Sequence, residues 1–263
     1  MTVQIITEEQ LKKKVPSVFS TDSSEKTSEK YSLIPTIECI RGLQRAGFCV
    51  TSAQESRCRN SENKQYARHL LRFRHENTIN LHGFVPEIVM LNSHDGLCSY
   101  QLRAGIYRQI CSNGLVVGND SFFRKIKHQG NVIDKVVESA SEIIDIIPEA
   151  IGIAQTWQDI KISQDQQRVY AESAALLRWD QEKMSIKPDR LLIPKRQQDT
   201  NNDLWTTFNV IQENLIKGGT RYFNVDQLGY RRGKTKAITS VNENSRLNTA
   251  LWNLTAKMAS LAT

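Results

Sequence analysis

Residues 85–118, VPEIVMLNSHDGLCSYQLRAGIYRQICSNGLVVG, contain the clearest strand and turn signals of the chain. They begin with an apolar run of strand length over residues 85–91. Asp95-Gly96 then supplies a turn signal, because aspartate and glycine accept the backbone angles of tight hairpins. The long run over 97–111 is rich in Tyr, Leu, Ile and Cys and is typical of a second strand. This order predicts antiparallel neighbours.

Two glycines refine this part of the prediction. Gly105 stands in the middle of the second run and predicts a bulge or bend there. Asn113-Gly114 is another hairpin signal, and a short strand over 115–117 follows it. Together the segments predict a meander of antiparallel strands.

Two shorter segments extend the sheet toward the N-terminus. Residues 48–53 alternate weakly between apolar and polar types, and residues 68–75 alternate more clearly. In the second segment Leu71 and Phe73 point to one face. The opposite face carries Arg68, Leu70, Arg72 and Arg74. An arginine-lined sheet face can track a phosphate backbone, or it can be an ordinary solvent face whose arginine stems cover apolar surface.

Residues 1–30 have the character of a flexible leader. Thr7 and Gln10 have the spacing of a capping box before a short basic helix, which Pro16 ends. Residues 20–30 contain only Ser, Thr, Asp, Glu and Lys, and such a composition is typical of a linker.

The chain after Gly130 changes to helical periodicity. Apolar residues repeat at helical spacing from Val132 to Ile147, and Pro148 is expected to close that helix. A second helix is predicted over 151–162. A third begins at the capping box that Ser163 and Gln166 form, and it ends near Trp179.

The last third of the chain has two helices separated by a basic segment. The helix over 203–217 is capped by Thr200 or Asn202 and stopped by Gly218 and Gly219. A Gly-rich, mobile loop over 217–239 follows. The final helix, residues 244–261, has a leucine stripe suited to packing or to an oligomer interface.

These elements predict an α+β protein. An α+β domain with an antiparallel sheet is expected over residues 31–130, after the leader of residues 1–30. A helical region packed on it is expected over residues 131–263, with the basic loop at 217–239.

Composition excludes membrane and secreted classes. The chain has 263 residues, 39% of them hydrophobic, and lacks any apolar run near the roughly 18 residues of a membrane helix. No secretory signal is visible at its N-terminus. The five cysteines form no CxxC pair, so we expect reduced thiols in a cytoplasm. No cofactor is predicted.

Positive charge is clustered in two places. The chain carries a formal net charge of +7, and residues 57–75 and 217–239 each hold a net +5. Tyr222, Phe223 and Tyr230 are interleaved with the cations of the second segment. Cations neutralise phosphates and aromatic rings stack on unpaired bases, so the pattern favours single-stranded nucleic acid. The candidate binding residues are Arg68, Arg72, Arg74, Arg103, Arg221, Tyr222, Tyr230, Arg231, Arg232, Lys234 and Lys236.

The turn NSHDG, residues 92–96, is the best candidate for catalysis. Asn92, His94 and Asp95 can hold a metal ion or a water molecule, or they can cap backbone groups in a structural turn. Cys111 can act as a nucleophile with His94 as its base, or it can be a buried, inert thiol. No nucleotide-binding or hydrolase signature accompanies them.

Three strings resemble a known family: LNSHDG at 91–96, GIYRQICSNGLVVG at 105–118 and LWTTFNVIQENLIKGG at 204–219. The family is a domain of unknown function found on phages and plasmids. The resemblance covers most of the chain from about Tyr31 onward, and it implies a mobile-element protein in a bacterial cytoplasm. It implies no reaction, cofactor or catalytic residue.

The sequence therefore predicts a non-enzymatic protein that binds nucleic acid, in particular single-stranded DNA, with no membrane partner. In its sharpest form this protein anneals strands as a homo-oligomer in recombination or replication, and the two cationic segments share one surface. Two alternatives stay open: a metal-assisted nuclease or hydrolase centred on NSHDG, and an antagonist that binds a protein of a host defence system.

Overall fold

The chain divides into two compact units, residues 1–149 and residues 150–263. This computed structural model describes residues 5–262, with gaps at 25–26, 28–30, 59–60, 78–82, 109–112, 181–185 and 227–228. Only the backbone is described for residues 61–62, 108, 113, 224–226 and 229–231. An antiparallel sheet with accompanying helices precedes a mainly helical half, so the predicted α+β class is confirmed.

The first unit is built around one antiparallel sheet. Its elements are α1 (Glu8–Lys14), α2 (Thr36–Arg45), β1 (Phe48–Glu55), β2 (His69–His75), β3 (Phe84–Asn92), β4 (Tyr100–Arg108), β5 (Asn113–Val116) and β6 (Phe123–Ile126). Strands β1 to β5 lie in chain order, and β6 pairs with β4. Every pair is antiparallel, which confirms the predicted meander.

β4 pairs with β3 along one side, and on its other side the partner strand changes near Gly105. Residues 100–103 pair with β6, and residues 105–108 pair with β5. The register between β3 and β4 continues through Gly105 without a shift, so the bulge predicted there is absent from the described pairing. A Cβ at Gly105 would lie 2.8 Å from Cγ2 of Val89, and this close approach accounts for the glycine.

The two hairpin signals have different outcomes. Gly96 has a φ of 77°, and the Asp95 carboxylate accepts a hydrogen bond from the amide of Leu97, so the first turn is confirmed. The second prediction is wrong, because Asn113 and Gly114 are paired residues of β5. The residues that connect β4 to β5 lie outside the described part of the chain.

The predicted flexible leader is packed over its first part. Leu11, Val15 and Val18 are completely buried, and the amide of Ile6 donates to the carbonyl of Val50 on β1 at 2.8 Å. Burial of three apolar side chains stabilises this packed position, so residues 5–20 belong to the sheet unit. Of residues 20–30, to which linker character is assigned, 25–26 and 28–30 lie outside the described residues.

The remaining elements are mainly helical. They are α3 (Val132–Asp159), α4 (Gln164–Leu176), α5 (Leu204–Lys217), β7 (Arg221–Asp226), β8 (Gly229–Lys234) and α6 (Val241–Ala262), and α3 begins in the first unit and ends in the second. In the described part of the chain, no helix combines the length and apolar character needed to span a bilayer.

Pro148 does not end α3, contrary to the prediction. The proline lies inside the helix, which continues to Asp159. Its ring removes one backbone hydrogen bond, but the apolar stripe continues beyond it through Ala150, Ala154 and Trp157, all of which are buried. Burial of this stripe outweighs the local cost of the proline.

The predicted capping boxes of α1 and α4 are present. Thr7 with Gln10 and Ser163 with Gln166 form reciprocal capping boxes. The cap of α5, however, is Asp203 rather than Thr200 or Asn202. The Asp203 carboxylate accepts from the amide and the hydroxyl of Thr206, so this one side chain satisfies two donors.

The second unit packs its helices on an aromatic cluster. Trp157, Trp205, Phe208 and Trp252 have ring centroids 4.5–6.3 Å apart. Leu247 and Leu251 of the α6 stripe are buried, so much of that stripe serves internal packing. The basic segment predicted as a mobile loop forms a β-hairpin, β7–β8, which begins after Gly218 and Gly219 at φ values of 67° and 83°.

Candidate functional site

The arginines of β2 are directed into the sheet unit rather than toward solvent. Arg72 and Arg74 both donate to Glu87 of β3, at 3.0 Å and 2.7 Å. The Glu87 side chain is 1% exposed, and Arg72 is also buried. The Arg74 guanidinium lies 4.1 Å above the Tyr107 ring. An internal carboxylate therefore holds two of the cations predicted to contact nucleic acid.

Gly114 belongs to the same structure. The Arg72 guanidinium occupies the position where a Cβ on Gly114 would lie, and its Nη2 donates to the Gly114 carbonyl at 2.9 Å. The Asn-Gly pair that signals a turn in the sequence thus has another role. It leaves room in β5 for a buried arginine and supplies an acceptor to it.

Arg68 and Arg103, the other candidates in this unit, are half-buried. The Arg103 guanidinium stacks 3.9 Å above the Phe123 ring, and burial lowers its pKa. Its Nε and Nη1, and the Nε of Arg68, are buried without a hydrogen-bond partner among the described residues. These arginines lie in the first unit and the hairpin lies in the second. Their membership of one common surface stays a prediction.

The β7–β8 hairpin sorts its side chains onto two faces. Arg221 pairs with Lys234 and Phe223 pairs with Arg232 across the strands. Directly opposed residues share a face, and so do residues two apart on one strand. Three cations and one aromatic ring therefore lie on the same face, which we call the cationic face: Arg221, Phe223, Arg232 and Lys234.

The cations of this face are accessible. Arg221, Arg232 and Lys234 are exposed, as is Lys236 just beyond the hairpin. Among the residues whose side chains are described, no carboxylate forms an ion pair with any of the four. The Arg232 guanidinium lies 5.6 Å from the Phe223 ring centroid, within the range of a cation–π contact.

Tyr222 lies on the other face of the hairpin. A Cβ on Gly233 would come within 2.6 Å of the Tyr222 ring, so the ring covers this glycine across the strands. Tyr230 and Arg231 are residues of β8, but their side chains lie outside the described part of the structure. Of the two hairpin aromatics whose side chains are described, Phe223 shares the cationic face and Tyr222 does not.

The NSHDG turn joins a buried polar cluster with three histidines. Thr36 lies at its centre, and its Oγ1 is 3.0 Å from Nε2 of His69 and 3.1 Å from Nε2 of His94. Asn92 donates to the same hydroxyl at 3.0 Å and also contacts Nε2 of His128 at 3.0 Å. We call this set the histidine cluster. All three imidazoles are buried.

Hydrogen-bond partners assign the tautomer of His69. Its Nδ1 lies 3.1 Å from the carbonyl of Ala67, which can only accept, and 3.0 Å from the Ser17 hydroxyl, which can accept as well as donate, so these partners are satisfied together when Nδ1 carries the proton. Nε2 of His69 therefore accepts from the Thr36 hydroxyl. Since that hydroxyl has one proton, it must accept from Nε2 of His94.

The same logic leaves two imidazole nitrogens without a proton. With Nε2 of His94 donating to Thr36, Nδ1 of His94 carries a lone pair. Nε2 of His128 lies 3.0 Å from Oδ1 of Asn92 and 3.1 Å from the carbonyl of Cys98, so it is protonated, and its Nδ1 is bare as well. Both Nδ1 atoms are buried without a hydrogen-bond partner among the described residues.

Burial keeps these imidazoles neutral. It lowers the pKa of His69 to about 4 and that of His94 to about 3, and it lowers the pKa of His128 as well. For His94 the neighbouring imidazoles of His69 and His128 act in the same direction. Neutral rings suit a structural network, because a buried charge would need a partner of opposite sign.

The contacts of NSHDG are those of a buried structural turn, and the nuclease alternative stays a prediction. Asn92 and His94 are completely buried. The Asp95 carboxylate accepts from the Ser93 hydroxyl at 2.6 Å and from the Leu97 amide at 2.9 Å, as in a structural turn. Within the described ranges, no group of three or more His, Cys, Asp or Glu side chains could hold a metal ion. Cys111 lies outside the described residues.

Sequence reasoning missed the partners of His94. His69 and His128 lie 25 residues before and 34 residues after it, and no local spacing connects them. The one signal was the concentration of all five histidines in the N-terminal half of the chain. The antiparallel pairing of His69 with Asn92 then brings β2 and the NSHDG turn together.

Comparisons with known proteins match nearly the whole length of the chain. A family model described as Domain of unknown function (DUF932) matches residues 24–252. Two proteins of Escherichia coli (strain K12), UPF0380 protein YafZ and UPF0380 protein YfjQ, are each 38% identical over 247 residues. The match covers 94% of this chain and 89% of each relative. No solved structure matches it.

Proposed function

The chain belongs to the DUF932 family, and we propose that this member binds single-stranded DNA through its β7–β8 hairpin. The observation that carries the proposal is the cationic face, with three exposed cations beside Phe223. Cations and an aromatic ring on one face are the elements that hold a phosphate backbone and stack an unpaired base.

The arrangement of charge on the hairpin supports a polyanionic partner. Arg221 and Lys234 are directly opposed across the strands, where like charges repel and destabilise the pair. No described carboxylate offsets this repulsion. A bound phosphate between the two side chains would turn the repulsion into attraction. The hairpin thus has the charge pattern of a site that is completed by an anion.

Single strands fit this face better than duplexes do. The Phe223 ring is partly exposed, and an unpaired base can stack on it, whereas bases inside a duplex are already stacked. We place this binding in the cytoplasm of a bacterial host, where the protein serves a mobile element in recombination or replication. A homo-oligomer that aligns several hairpins would anneal strands without catalysing a reaction.

Salt dependence tests the proposal. Each phosphate neutralised on a single strand adds about 0.7 to the slope of log K against log salt, so R232A/K234A should lower the slope by about 1.4. The measurement is fluorescence anisotropy with a labelled, unstructured oligonucleotide over a series of salt concentrations. K161A/K257A removes the same charge from exposed positions of the same unit and is the matched control.

Two results would reject this function. One is the absence of oligonucleotide binding by the wild-type protein at low salt. The other is an equal slope for R232A/K234A and the wild type, because cations that contact phosphate must contribute to counterion release.

A further inference from the structure

A cavity of about 300 Å³ lies at the foot of the hairpin, wholly within the second unit. Its volume is at the lower end of the range for small-ligand sites. The residues that matter for its chemistry are Arg190, Ile193, Lys195, Gly218, Gly219 and Arg221.

The cavity is positively charged. Arg190, Lys195 and Arg221 line it, and none of its lining residues is a carboxylate. The carboxylates nearby are already engaged. Glu213 binds Arg196 at 2.6 Å and Lys217 at 3.0 Å, and Asp189 binds Arg168 at 2.9 Å. The three cavity cations therefore have no described ion-pair partner.

The surroundings of Lys195 support this charge balance. Its pKa is lowered by partial burial, and Lys217 and Arg196 act in the same direction against the opposing effect of Glu213. An ammonium group whose neighbours disfavour its charge gains from a bound anion.

One wall of the cavity is formed by Gly218, which packs against the backbone of residues 235–237, and by Gly219. Gly218 and Gly219 both have positive φ, at 67° and 83°, a conformation that side-chain-bearing residues adopt at a cost. A Cβ on Gly219 would meet no described atom within 4 Å. The backbone at Gly219 is therefore open to a ligand that lies in the cavity.

Ile193 gives the cavity an apolar surface. Its side chain is 50% exposed although it is large and apolar. Together with the cations it offers one charged and one apolar contact, which is the combination that a phosphate attached to a sugar and base requires.

We propose that this cavity binds a phosphomonoester, carried at the end of the strand that the hairpin holds. Arg221 connects the two sites, because it belongs to the cationic face and also lines the cavity. A terminal phosphate carries a charge of about −1.5 to −2, more than the single charge of an internal phosphate, and so it matches three cations better. The inference rests on the proposed function and names the part of the strand that is recognised.

The test compares oligonucleotides of one sequence with a phosphate or a hydroxyl at the 5′ end, and a third with a 3′-phosphate. We expect the wild-type protein to bind at least one phosphorylated form about ten-fold more tightly than the hydroxyl form, because charge-assisted hydrogen bonds are added. R190Q/K195Q should abolish this ratio and keep most of the affinity for the hydroxyl form. K161Q/K257Q should keep the ratio, and R232A/K234A should weaken all three forms together.

The outcomes separate this inference from the proposed function. Equal affinity of the wild type for all three oligonucleotides overturns the terminal-phosphate site and leaves hairpin binding intact. If no oligonucleotide binds, the proposed function fails, and a free nucleoside monophosphate then tests the cavity through the NMR amide shifts of Gly218 and Gly219. Shifts that R190Q/K195Q removes support a phosphomonoester site for free nucleotides, and unchanged spectra overturn the site.

Discussion

The two most basic segments of the chain have the same net charge and opposite structural roles. Residues 57–75 and 217–239 each carry +5 in the sequence. On β2, Arg72 and Arg74 are held by the buried Glu87. On the hairpin, Arg232 and the other cations of its face are exposed and lack a described ion-pair partner.

The role of each cation depends on the residues that the neighbouring strand places beside it. β2 is an inner strand, and β3 beside it supplies one carboxylate in reach of two guanidiniums. The hairpin has only its own two strands, and Lys234 faces Arg221 instead of an acid. A paired arginine inside a sheet contributes to stability, whereas an unpaired one on a hairpin face is available to a ligand.

The largest effect is expected from removing the negative charge of Glu87, which pairs with Arg72 and Arg74. Glu87→Gln leaves two buried guanidiniums without their counter-charge, and we expect a loss of about 3–5 kcal/mol in the free energy of unfolding, measured by urea denaturation. Glu142→Gln is the control, since Glu142 pairs with Arg124 at an exposed site and should cost less than about 1 kcal/mol. Equal losses in the two variants would mean that the buried pairs of Glu87 matter no more for stability than an exposed ion pair does.

The next largest effect is expected at acid pH, where protonation of the histidine cluster should destabilise the sheet unit. The folded-state pKa values of His69 and His94, about 4 and about 3, lie below the ordinary value of 6.5. The unfolded chain therefore takes up protons first, so the stability contribution is complete above pH 6.5 and is lost as the pH falls toward 4. The loss is on the order of a few kcal/mol. Residues 217–239 contain no histidine, so the hairpin has no corresponding group.

His94→Gln checks the origin of this pH dependence. The variant should be less stable than the wild type at pH 7, because it disturbs the contact with Thr36. It should also lose less stability between pH 7 and pH 4.5, because one titrating imidazole is gone. Urea midpoints at the two pH values provide the measurement, and an unchanged pH dependence would assign the effect to other groups.

A smaller loss is expected from Gly114→Ala. The added methyl group collides with the Arg72 guanidinium, and overpacking of this kind costs about 1–3 kcal/mol. Gly152→Ala on α3 is the matched control, because its Cβ would meet no described atom within 4 Å and alanine favours a helix. Measured by thermal denaturation, the Tm of Gly114→Ala should be lower than that of the wild type. The Tm of Gly152→Ala should be unchanged or higher. A neutral Gly114→Ala would show that Arg72 moves freely.

The smallest effect concerns the hairpin itself. Lys234→Glu replaces the repulsive pair with Arg221 by an attractive one, and we expect a gain of about 0.2–1 kcal/mol in stability. The same change should weaken oligonucleotide binding. Lys234→Gln should fall between the wild type and Lys234→Glu in both measurements. Tighter binding by Lys234→Glu would contradict the role given to the cationic face.

Much of the fold could be predicted from local patterns. The strand around Val85–Leu91, the turn at Asp95-Gly96 and the capping box at Ser163 depend on neighbours within a few residues, and all are present. The errors came where a distant contact outweighs a local preference. Gly114 reads as a turn residue but accommodates Arg72, and Pro148 reads as a helix end but lies within a continuous buried stripe.

The candidate site, like the fold, could be predicted from the sequence only in part. Charge, aromatic residues and glycines are local properties, so residues 217–239 could be recognised from the sequence as a basic, glycine-rich segment with interleaved aromatics. Tertiary structure alone decided that Arg72 and Arg74 are held by Glu87, and that His69, His94 and His128 form one cluster. The physical reason is that the energy of a charge or an imidazole depends on the atoms around it, and those atoms come from strands far away in the chain.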